Sequence, residues 1–82
     1  MLGWFFDHRV GSRLFKYGWQ PNQLPEHMTF SHICMALRDN GYDLDRAADL
    51  WSRVLSGDES AKQKMRQDAG VFGIMYLGGS RY

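Results

Sequence analysis

This chain has one cysteine, two prolines and almost no net charge, +1 over 82 residues. A single thiol cannot close an internal disulfide, so a small scaffold stapled by cystines is excluded. No apolar run approaches the ~18–20 residues that a membrane-spanning helix needs. The N-terminus also lacks the basic and apolar regions of a signal peptide, so the expected compartment is cytoplasmic. Charge this close to balance argues against general polyanion binding, although the two ends of the chain are basic and its middle is acidic. No catalytic, phosphate-binding or metal-binding motif rises above background. A chain of this length makes one domain, which buries only about 60% of its unfolded surface.

The stretch 28–57 organises the rest. Phe30, Ile33, Cys34 and Leu37 fall at i, i+3, i+4 and i+7, one narrow face of a helix. Thr29 or Ser31 is placed to cap its start, and Asn40-Gly41 supplies the left-handed residue that ends it. The next helix begins almost at once, capped by Asp43 or Asp45. It carries Leu44, Ala47, Ala48, Trp51, Val54 and Leu55 as an apolar stripe that closes at Gly57. Joined by so short a turn, the two stripes are expected to face each other and bury Trp51 near Phe30, Ile33 or Leu37.

Residues 1–19 hold six of the twelve aromatics. As a helix this segment lines up Arg9, Arg13 and Lys16 in a basic stripe, with Phe6, Val10, Leu14 and Tyr17 on one side and Trp4, Phe15 and Trp19 on the other. Gly3, Gly11 and Gly18 weaken a helix, each by about 1 kcal/mol relative to alanine. The alternative is a β-hairpin, favoured by the aromatics. Residues 20–27 contain both prolines and read as a linker from which Leu24 touches the core. Residues 58–70 read as a third helix, capped by Asp58 and stopped by Gly70, with Ala61, Met65 and Ala69 inward and Phe72 a further inward candidate. The apolar tail, 71–82, is open to a strand, a short helix or an extended clip on another molecule.

Several constellations have ordinary explanations. His32 and Cys34 point away from each other on a helix, so they make no thiol–imidazole pair, and Cys34 reads as a small buried hydrophobe. His27, His32 and Cys34 lack the i, i+3 or i, i+4 spacing of zinc ligands on one helix, so no metal or other cofactor is expected. Asp43, Asp45 and Asp49 would be repelled by phosphates if the second central helix entered a DNA groove. Ala36-Leu37-Arg38 followed by Asp45-Arg46-Ala47 resembles the last two helices of a ubiquitin-associated domain, and Met28-Thr29-Phe30 stands where that family has a Met-Gly-Phe loop. The chain departs from the family at the loop glycine, here Thr29, in a shorter following helix, and at Pro21 and Pro25, where the first helix would lie. The resemblance is therefore not adopted.

The sequence thus predicts a mainly α single domain of three or four short helices around a central helical hairpin, or α+β if the N-terminal segment is a β-hairpin. It predicts a non-enzymatic protein that binds another protein as an accessory, inhibitor or assembly factor. Large aromatics near both ends of so small a chain fit the composition of protein interfaces. The expected contact residues are Trp4, Phe5, Arg9, Arg13, Phe15, Lys16, Trp19, Phe72 and Tyr76. Rival partners are a membrane surface, met by the N-terminal aromatics, and a nucleic acid, met weakly by the Arg/Lys stripe. Self-association into a homo-oligomer is a further option.

Overall fold

The structure is a computed structural model and describes residues 5–78. Five α-helices follow one another among them: α1 (Phe6–Lys16), α2 (His27–Asp39), α3 (Leu44–Leu55), α4 (Glu59–Asp68) and α5 (Gly70–Leu77). A single 3-10 turn, Pro21–Gln23, lies between α1 and α2, and no strand occurs among the described residues. The fold is mainly α, as the sequence predicts. The described part of the N-terminal segment forms a helix and not a hairpin, and the tail adds a fifth helix to the expected three or four.

Helix α1 forms because its ends are electrostatically matched and Gly18 falls beyond its end, which leaves Gly11 as the one glycine inside it. Asp7 sits in the first turn, with Arg13 and Lys16 in the last, each facing the helix-dipole end of opposite sign. Gly18 lies past the helix with φ +106°, and there Trp19 N–H donates to the Leu14 carbonyl at 3.1 Å. The glycine is a stop signal and not an interior defect. Gly41, φ +89°, ends α2 in the same way, with Tyr42 N–H donating to the Leu37 carbonyl at 3.0 Å.

The expected caps hold at two of three helices. Asp43 accepts from Arg46 N–H at 2.8 Å, and Asp58 accepts from Ser60 N–H at 2.9 Å and Ala61 N–H at 3.2 Å. Helix α2 starts earlier than its stripe implies, at His27, so Thr29 and Ser31 lie inside it and do not cap it. Met28-Thr29-Phe30 is therefore helical, which removes the loop on which the resemblance to a ubiquitin-associated domain rested.

Phe30, Ile33, Cys34 and Leu37 are buried, as are Ala47, Ala48, Trp51 and Val54; Leu50 joins them, while Leu44 and Leu55 are only half-buried. Trp51 is fully buried, with its ring 4.8 Å from Phe30 and 5.7 Å from Tyr76, centroid to centroid. The two central helices meet through this side chain and not along their length. Their backbones approach each other less than α1 approaches either, while α5 folds back onto α2 and α4. The turn between α2 and α3 is tied to the end of α4 by Asn40, which donates to the Asp68 carbonyl at 2.6 Å, and by the Tyr42 hydroxyl, which donates to the Asp68 carboxylate. Burial first and that bond second push the Tyr42 phenol up to about 12. No described helix is long and apolar enough to cross a membrane.

Cys34 is fully enclosed. Burial pushes its thiol well above the usual range, against a smaller opposing pull from the Trp51 indole. A thiol reagent should accordingly label it slowly in the native protein and rapidly in denaturant, because the thiolate is the nucleophile. Native labelling as fast as denatured labelling would place Cys34 at the surface and contradict this packing.

Candidate functional site

Helix α1 turns four residues inward: Asp7, Val10, Gly11 and Leu14, again at i, i+3, i+4 and i+7. Only two of them are apolar side chains. Gly11 lets α1 come close to α2, since a Cβ there would stand 3.7 Å from the Phe30 ring. Asp7 is 7% exposed and has no hydrogen bond or ion pair with another described residue. Aspartate is seldom buried without a partner.

Asp7 opens onto a cleft of about 350 Å³ between α1 and the segment leading into α2. Gly11 and Phe30 form its buried floor with Asp7, Leu24 and Pro25 form a half-buried wall, and Ser12 and Phe15 reach the exposed rim. His8 and His27 also stand at the rim, their imidazole centroids 5.9 Å apart and their planes tilted by 50°. Pro21 and Pro25 contribute no backbone N–H to the wall. The Pro21–Gln23 turn is held by Gln20 N–H, which donates to Gln23 Oε1 at 2.7 Å. The cleft thus combines an acceptor-only carboxylate with aromatic and aliphatic walls. Among the described residues no three His, Cys, Asp or Glu side chains converge as metal ligands do.

The residues expected to contact a partner fall into two groups. Phe5 and Phe15 are 62% and 46% exposed, and Arg9 and Lys16 are exposed beside them on α1. Arg13 is half-buried and ion-paired with Asp45 of α3, so the basic stripe is partly neutralised by the acidic helix next to it. The other group is engaged within the chain. Trp19 Nε1–H donates to Ser52 Oγ at 3.1 Å, Phe72 stacks on His32 at 4.4 Å, and Tyr76 packs against Trp51. Trp4 lies outside the described residues.

Two features escaped the sequence reading. One is the Asp7 cleft, whose only signal is a carboxylate at an inward position of an apolar stripe. The other is an apolar face across α2 and α5, where Met28, Met35, Val71 and Met75 are exposed. Met28, His32 and Met35 fall at i, i+4 and i+7, and the His32–Phe72 stack joins that row to α5, a helix without a charged residue. Comparison with protein-family models, curated proteins and solved structures finds no match to this chain.

Proposed function

We propose that this chain is a non-enzymatic module that binds another protein, with the cleft side of α1 as its contact surface. The observation that carries this reading is Phe15, left exposed at the rim of a preformed cleft, with Phe5 and Tyr17 exposed near the two ends of the same helix while Phe30 and Trp51 are packed inside. Exposed aromatic anchors next to a cavity are the common makeup of interface hot spots. A nucleic acid is less well served, because Asp45 sits against Arg13 in the middle of the basic stripe. The cytoplasm, or another reducing compartment, suits a protein whose one thiol is enclosed and has no partner for a disulfide.

The test is site-specific photo-crosslinking in the native host, with a benzophenone amino acid at Phe15 and, as control, at Asp49, an exposed residue of α3 outside the cleft lining. A discrete protein adduct from position 15 and none from position 49 is the expected result. Equal, diffuse adducts from both positions, or adducts to lipid or nucleic acid at position 15, would overturn the reading.

A further inference from the structure

We propose that the α1 cleft receives a cationic side chain, lysine or arginine, of the partner, with the Asp7 carboxylate as its counter-ion; this rests on the protein-binding reading above. Asp7 is more than nine-tenths buried, lines the cleft and lacks a partner among the described residues. The carboxylate faces the cleft with no donor on it among the described residues, and a charged donor is the one that satisfies a carboxylate best. An acidic ligand is excluded by the same charge. The remaining surface fits the rest of a long basic side chain. Leu24 and Pro25 offer apolar wall to a methylene stem, and the rings of Phe15 and Phe30 line the cleft where a cation gains from an aromatic face. At about 350 Å³ the cleft lies near the small end of ligand cavities, which suits one inserted side chain.

The experiment is an amide-resolved NMR titration of the whole chain with N-acetyl-lysine methylamide. Its neutral counterpart, N-acetyl-norleucine methylamide, serves as the comparison. Saturable shifts centred on Gly11, Ser12 and Phe30 are expected with the lysine probe, and binding about tenfold or more weaker with norleucine, the loss typical of a charged hydrogen bond. Asp7→Asn, which preserves side-chain size, should bring the lysine probe down to the norleucine level while the spectrum stays dispersed. Phe15→Ala at the rim should weaken both probes together. Equal binding of the two probes, an unchanged lysine affinity in Asp7→Asn, or no shifts up to the solubility of the lysine probe would overturn the inference. These outcomes are independent of the crosslinking result, so a cleft that ignores cations can be told apart from a protein that has no partner.

Discussion

Trp51→Ala should cost about 3–5 kcal/mol, the penalty for emptying a core position of a large aromatic. A domain of this size has about 4–12 kcal/mol in total, so the variant should melt about 12–40 °C below the parent, or fail to fold. The cost is high because Trp51 is a joint between helices. Its ring meets Phe30 of α2 on one side and Tyr76 of α5 on another, and its own helix packs on α1. Trp51→Phe should recover much of the loss. It keeps an aromatic ring in place between Phe30 and Tyr76. A Trp51→Ala protein whose circular-dichroism melt matches the parent would show that the helices do not converge on this residue.

Gly73→Val should cost about 3 kcal/mol, at the upper end of overpacking penalties. A Cβ at Gly73 would stand 2.8 Å from the Met65 carbonyl oxygen and 3.0 Å from the Ala69 Cβ. The first of these is backbone and cannot swing aside, so α5 must lift from α4. Lifting also releases the His32–Phe72 stack and the packing of Tyr76 on Trp51. Hydrogen exchange should then show α5 amides losing protection well before those of α1, α2 and α3. Gly73→Ala should be milder, because its clash is offset by about 1 kcal/mol of helix propensity. Unchanged α5 protection in Gly73→Val would mean that the two helices do not cross at this glycine.

The sequence was most legible where one periodicity and one pair of end signals agreed. The inward residues of α2 and α3 and the caps at Asp43 and Asp58 all follow from local pattern, since those segments are amphipathic and bounded. Helix α1 was harder, because Gly11 and Gly18 look alike in sequence and do opposite things. Gly18 terminates the helix, and Gly11 makes room for a ring from a different helix. Helix α5 gave no face to read, being apolar all round, so only its packing on α2 and α4 decides which side is inside. That is why Phe72 and Tyr76, rather than Val71 and Met75, turned out to be the packed residues. The cleft was illegible for a related reason. Its walls come from α1 and from the Pro21–Phe30 stretch, and no spacing rule within either segment places them face to face.

The return of α5 onto α2 also bears on the order of events as the chain folds. Most helix contacts join neighbours in sequence, α1 with α2, α3 with α4 and α4 with α5, and such short-range topology favours rapid folding. Two contacts differ: α1–α3 closes a loop around α2, and α2–α5 closes a longer one that contains the whole of α3 and α4. Closing the longer loop costs chain entropy before the His32–Phe72 and Trp51–Tyr76 contacts repay the loss. Docking of the last helix is therefore the natural late step, and its undocking the natural first opening. A small excursion of that kind bares Trp51 on one side while the other four helices stay assembled, which makes the C-terminal helix a latch on the core.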